Sequence, residues 1–149
     1  MENIKKNKVY TGNYFTTFKA ILLMLFFTFV CFDFIHGAIS GSAAGWVGFP
    51  IFFVLFSVLT FSMNYFILTD KKLIAKNPIW FWRMTEIDFS SITSVSIVQP
   101  AKSAISLEVK MERSTKLIPA SSLRDNTWKE LKAHLIKENV VLYDKVGFE

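Results

Sequence analysis

The chain has 149 residues, a formal charge of +5 and one cysteine, with 52% hydrophobic residues and sixteen Phe. That length suits one small domain plus an additional segment. A single Cys31 excludes an internal disulfide and any cysteine-rich metal site. The basic balance on its own is the footprint of a nucleic-acid binder, but here it is explained by lysines flanking apolar segments, so no nucleic-acid partner is expected.

Residues 1–17 read as a polar leader, with Lys5, Lys6 and Lys8 in it and Tyr10, Tyr14 and Phe15 suited to an interface. Two apolar stretches follow, Ala20–Ile39 and Ala43–Leu68, with no Lys or Arg between Ala20 and Leu68. A spanning helix needs about 20 mostly apolar residues. The stretches therefore predict a two-helix transmembrane hairpin over 18–64, with helices from Phe18 to His36 and from Gly45 or Trp46 to Met63 or Asn64. Pro50 falls in the first turns of the second, where a missing N–H costs least, and Trp46 suits an interface anchor.

Cytoplasmic loops carry the Lys/Arg excess. Lys5, Lys6, Lys8 and Lys19 precede the hairpin, and Lys71, Lys72, Lys76 and Arg83 follow it. The expected location is thus the cell membrane, multi-pass, with both termini cytoplasmic. The rival reading is a signal peptide cleaved near Ser42-Ala43-Ala44, disfavoured by the long basic leader and the second apolar segment.

Beyond Asn64 the hydrophobic period changes. Tyr65–Thr69, Lys72–Lys76, Ile79–Met84, Ile92–Val98, Ile105–Met111 and Lys116–Ile118 read as strands, with turns at Asp70-Lys71, Asn77-Pro78 and Glu112–Thr115. Ser122 and Asp125 fit a capping box. Trp128, Leu131 and Leu135 then make one apolar helix face. Val140–Tyr143 reads as a last short strand or a docking tail. Residues 65–149 form a small mainly-β domain with one closing helix.

The segment Tyr65-Phe-Ile-Leu-Thr-Asp-Lys-Lys-Leu-Ile-Ala75 directly follows the second apolar stretch. Glu86-Ile-Asp-Phe-Ser-Ser-Ile-Thr-Ser-Val95, Leu117-Ile-Pro119 and Trp128-Lys-Glu-Leu131 complete a pattern over roughly Tyr65–Asn139. It resembles the bacterial pleckstrin-homology-like (PH-like) domain of small membrane-anchored proteins. The resemblance implies a split or closed antiparallel barrel capped by a C-terminal helix. It also implies a non-enzymatic module that binds proteins, self-assembles or contacts membranes. It carries over no catalytic residue, and the basic lipid pocket of eukaryotic relatives has no counterpart here.

The candidate contact residues are Lys71, Lys72, Trp80, Trp82 and Arg83. Basic residues near a membrane exit attract anionic headgroups, and Trp80 and Trp82 on a strand would point away from Phe81. Asp33 and His36, at i and i+3, form a candidate polar pair in the first helix, set against the plainer reading of an interfacial helix end. His134 is expected to pair with Glu130 on the helix surface, Ser121 and Ser122 to cap, and Cys31 to be a small buried group. No phosphate loop, HExxH or paired catalytic acids occur, so no enzyme activity, cofactor or metal is expected. The expected partners are membrane lipids and a protein or a second copy. The function expected is a membrane-anchored module displaying a PH-like domain. The alternative is an accessory subunit of a transport or antimicrobial-peptide resistance system, acting through the hairpin and its Gly37, Gly41 and Gly45.

Overall fold

A computed structural model describes residues 7–12, 18–41, 44–101 and 103–148, without the side chains of 18–20, 23 and 44–49. Lys5, Lys6, Tyr14 and Phe15, and the side chains of Lys19 and Trp46, lie outside the described residues. The chain divides into two compact units, Met1–Asn13 with Ser62–Glu149, and Tyr14–Phe61.

The second unit holds two helices, α1 (Phe18–Ser40) and α2 (Ala44–Phe61). Phe52 on α2 stacks on Phe26 of α1 at 6.0 Å and lies tilted against Phe27 at 5.2 Å between ring centroids. The hydroxyls of Thr28, Ser57 and Thr60 donate to the carbonyls of Met24, Phe53 and Phe56 four residues back, which satisfies them within apolar helices. Gly41 ends α1 with φ +67°, the left-handed conformation that favours glycine after a helix.

Among the described residues no helix is long and apolar enough to cross a membrane. This corrects the expected transmembrane hairpin, the membrane-anchored description and the multi-pass location with cytoplasmic termini. The apolar count stepped over polar positions. Between Lys19 and Asp33 the uncharged run of α1 is only Ala20–Phe32, about 20 Å at ~1.5 Å per residue against about 30 Å of hydrocarbon. Helix α2 is 18 residues with Pro50 inside it, about 27 Å by the same rise.

The first unit contains two four-stranded sheets. One has the order β1 (Lys8–Tyr10), β2 (Tyr65–Leu68), β3 (Lys72–Lys76), β4 (Met84–Asp88), with all neighbours antiparallel. The other has the order β7 (Ser114–Pro119), β6 (Ser106–Met111), β5 (Ile92–Val98), β8 (Leu142–Asp144). Strand β8 runs parallel to β5, with Val95 opposite Leu142. A short 3-10 turn, Phe89–Ser91, separates β4 from β5. The sheets keep open edges, so the described residues form no closed barrel.

Helix α3 (Asp125–Lys137) buries Trp128, Leu131 and Leu135, the face the spacing predicts. Trp128 is fully buried, edge-on to Phe66 at 5.9 Å and stacked on Phe148 at 6.2 Å. Phe66, Leu73, Val95, Ile97, Leu107 and Val109 complete the centre of this core. The capping box does not form. Arg124 occupies the N-cap and its side chain makes no capping bond, while the Ser122 hydroxyl donates to the Asn64 carbonyl at 3.4 Å.

Strand β1 comes from the segment read as a leader. It pairs Lys8 with Leu68 and Tyr10 with Phe66 across the whole helical insertion. The chain leaves this unit just after Gly12 and returns at Ser62, and both points meet the same turn. A Cβ on Gly12 would run into the Ser122 carbonyl. The Ser121 N–H donates to the Ser62 carbonyl at 2.9 Å, the hydroxyls of Ser62 and Ser121 lie 3.0 Å apart, and Met63 bridges Ala120. Asn64 donates to the Pro119 carbonyl at 2.7 Å.

The C-terminal tail is fixed by one carboxylate. Asp144 accepts from Lys132 on α3 at 2.9 Å and from the N–H groups of Val146, Gly147 and Phe148. Burial pushes its carboxyl up, but the Lys132 ammonium and the three N–H groups outweigh that and hold it below the usual carboxylate range. A depressed folded value means the clamp contributes fully above the ordinary carboxylate range and is lost as pH falls through the folded value. Acid should therefore release Phe148 from Trp128 before the core melts, and Asp144→Asn should do so at neutral pH. Amide exchange at Val146, Gly147 and Phe148 reads this directly. Equal protection in the variant and in acid would contradict it.

Candidate functional site

Ile79–Met84 reads as a strand, but only Met84 joins one. The five residues before it form a turn between β3 and β4. The cause lies at Asn77, which is 1% exposed. Its side-chain oxygen accepts the N–H groups of Ile79 and Trp80 at 3.0 and 2.9 Å, and its own N–H donates to the Arg83 carbonyl at 3.4 Å. The Arg83 N–H closes the turn on the Trp80 carbonyl at 2.8 Å. An asparagine that bonds the backbone two and three residues on favours a turn over strand formers.

The result is a different aromatic arrangement from the one a strand would give. Trp82 sits edge-on to both Trp80, at 5.2 Å, and Phe81, at 4.9 Å between centroids. The three rings therefore cluster with one another. Phe81 is 78% exposed and Trp82 62%, and neither joins the buried core. Ile79 and Met84 add exposed apolar surface on either side. Arg83 is exposed at the base of the turn.

The other predicted contact residues are less concentrated. Lys72 donates to Glu86 across the β3–β4 pair at 2.9 Å. That bond, the Glu86 charge and the Asp88 charge raise its ammonium above the ordinary range. Lys71 is exposed in the β2–β3 turn. Lys71 and Lys72 therefore belong to the far end of this hairpin from Trp80, Trp82 and Arg83. In α1, no hydrogen bond or ion pair joins Asp33 to His36. His36 is exposed and lies 6.3 Å from Phe32, ring to ring. Cys31 is a half-buried free thiol.

His134 does not pair with Glu130. Its Nδ1 lies 2.6 Å from the Tyr10 hydroxyl, and its Nε2 lies 3.6 Å from Glu138. Burial first, and then the Glu130 charge, push the Tyr10 hydroxyl up to about 12. Tyr10 thus stays protonated at neutral pH, and its hydroxyl shares a hydrogen bond with Nδ1. Glu130 instead meets Lys8 at 3.6 Å. These contacts fasten β1 to α3. Among the described residues no group of three or more His, Cys, Asp or Glu is placed to hold a metal ion.

Sequence reasoning missed Asn77 as the residue that builds the aromatic turn. The signal was present as Asn77-Pro78, a turn dipeptide just ahead of four bulky residues. Comparison with known proteins adds no relative: no family model, no curated protein and no solved structure matches the chain.

Asn77→Ala removes two accepted N–H bonds at a buried position, a loss of about 1–3 kcal/mol. The turn should loosen, and the edge-on Trp80–Trp82 pair should lose its coupled near-ultraviolet circular dichroism band. A band unchanged in the variant would show that Asn77 does not hold the cluster.

Proposed function

We propose that this protein is a non-enzymatic binding module that recognises a protein partner through the turn Ile79–Arg83. One observation carries the reading: three aromatic rings lean on one another outside the core, on a turn pinned from below by a buried asparagine. A cluster left in water by the fold that builds it costs solvation without stabilising the core, and such patches mark interaction sites. Tryptophan beside arginine is the composition of interface anchors. The resemblance to PH-like domains belongs to the same proposal. Its support is the arrangement of antiparallel strands in two sheets with a tryptophan-bearing helix closing the core.

A second reading, self-assembly, draws on the helical unit. Leu25, Phe29, Phe32, Phe53 and Val58 are all more than half exposed there. The groove between α1 and α2 is lined by Leu22, Leu25, Phe26, Phe29, Leu55, Val58 and Leu59. Apolar surface of this extent is suited to contact with another apolar surface.

A photoreactive phenylalanine analogue at Phe81 in the full chain separates the two. The first reading expects one discrete heterologous adduct, lost in Trp82→Ala, since truncating a hot-spot aromatic costs about 2 kcal/mol or more of binding. An adduct only with a second copy favours self-assembly. Adducts indifferent to Trp82→Ala would overturn the aromatic turn as the recognition element.

A further inference from the structure

The sheet β7-β6-β5-β8 sends Val95, Ile97, Leu107, Val109 and Ile118 into the core. Val98, Glu108 and Leu117 alternate with them and lie on the other face. That face has a hollow beside the C-terminal end of β5, with a volume of about 570 Å³, within the range of small-molecule sites. Val98, Pro100, Leu117 and Val146 give it apolar walls. Glu108 and Lys145 are the charged residues among the described ones that line it. Lys110 shares this face but stands opposite Ser94, farther from Val98, and does not line the hollow.

The register places the two charges on opposite sides of β5. Ser96 stands opposite Glu108 on one side, and Ile97 opposite Asp144 on the other. The Lys145 N–H donates to the Ile97 carbonyl at 3.0 Å, so the ladder carries Lys145 level with Val98. The two residues are thus about 12 Å apart, at ~4.8 Å per strand and ~3.3 Å per residue. Side chains stand roughly perpendicular to a sheet, so their charged ends keep a similar separation. Neither side chain forms an ion pair or hydrogen bond with another described residue. The wall that carries Lys145 is fixed from both neighbours, since Asp144 accepts from Lys132 at 2.9 Å and from the Val146 N–H at 3.0 Å. A wall already in place lowers the ordering cost of binding.

We infer that this hollow binds a dipeptide with apolar side chains, its ammonium at Glu108, its carboxylate at Lys145 and its side chains on Val98, Leu117 and Val146. One charge of each sign, on opposite walls, selects a zwitterion over a plain anion or cation. The apolar surface between them selects apolar side chains. A dipeptide spans about 7 Å at ~3.5 Å per residue. A charge-assisted bond of about 2.8 Å at each end brings that to the separation of the two walls. A free amino acid, whose two charged groups share one carbon, is too short to reach both. The site lies on a different sheet from the aromatic turn and does not depend on it.

Titration of the full chain with leucyl-leucine, followed by amide nuclear magnetic resonance shifts, tests this. Saturable shifts at Val98, Glu108, Leu117 and Val146 are expected at millimolar peptide, with free leucine binding more weakly. Glu108→Gln and Lys145→Gln should each weaken binding roughly tenfold, the size of one charge-assisted bond. Circular dichroism confirms that each variant is folded. Two cycles then assign the ends of the ligand. Acetylating the peptide's amine should cost the unaltered protein as much as Glu108→Gln does, and cost that variant little more. Amidating its carboxylate should behave likewise with Lys145→Gln. The site is overturned if no saturable shift appears at tens of millimolar peptide, if the capped peptides bind equally well, or if the losses in either cycle simply add. Free leucine binding as tightly as leucyl-leucine would overturn the dipeptide as ligand. Shifts confined to Ile79–Arg83 would overturn the hollow while leaving the aromatic turn standing.

Discussion

The β unit depends on closing a loop of chain at one turn. Residues 13–61 leave and re-enter it, and the pairing of Lys8–Tyr10 with Phe66–Leu68 exists only because both ends of that excursion are held beside Ser121 and Ser122. Bringing distant ends together costs loop-closure entropy that grows slowly with length. The compensation is local and specific. Gly12 gives up a side chain so that its backbone can approach the Ser122 carbonyl. Ser62 and Asn64 contribute bonds where the chain comes back. Tyr10 then buries its ring at the edge of the core and spends its hydroxyl on His134.

Seen from this junction, the polar residues of the β unit fall into two kinds. Tyr10, His134, Lys132, Asp144, Ser62 and Asn64 are occupied with holding segments together, and their partners are other parts of the same unit. Asn77 is also occupied, but what it holds in place is a group of aromatic rings that the core does not use. Next to those rings is β4, an edge strand of its sheet that pairs with β3 alone among the described residues. The proposed binding function draws on what the fold builds and leaves outside its core.

Much of the β unit was legible in the residues themselves. The alternation in Lys72–Lys76 and Ile92–Val98 gives those strands directly, and Trp128, Leu131 and Leu135 give the closing helix face. The strand β1 was not legible, because Lys8-Val-Tyr10 is three residues in a polar stretch and its partner lies across the helical insertion. The turn at Ile79–Arg83 was misread because Ile, Trp and Phe favour strands locally, while the deciding contact is a side chain, Asn77, that precedes them. Ser122 was misread because a capping pattern in sequence cannot show that its hydroxyl is already committed to Asn64. The apolar stretches do form helices, but α1 contains Asp33 and α2 contains Pro50, and among the described residues neither is long and apolar enough to cross a membrane.

Residue-resolved amide hydrogen exchange on the full chain tests the central claim most directly, that a β unit closed by its own N-terminal strand leaves β4 as an open edge. The account predicts slow exchange at the β1 amides that face β2, as slow as in β2 itself. It also predicts alternation along β4, with Thr85 and Ile87 slow and Met84 and Glu86 fast. Rapid exchange throughout Lys8–Tyr10, or uniform protection from Met84 to Asp88, would contradict it.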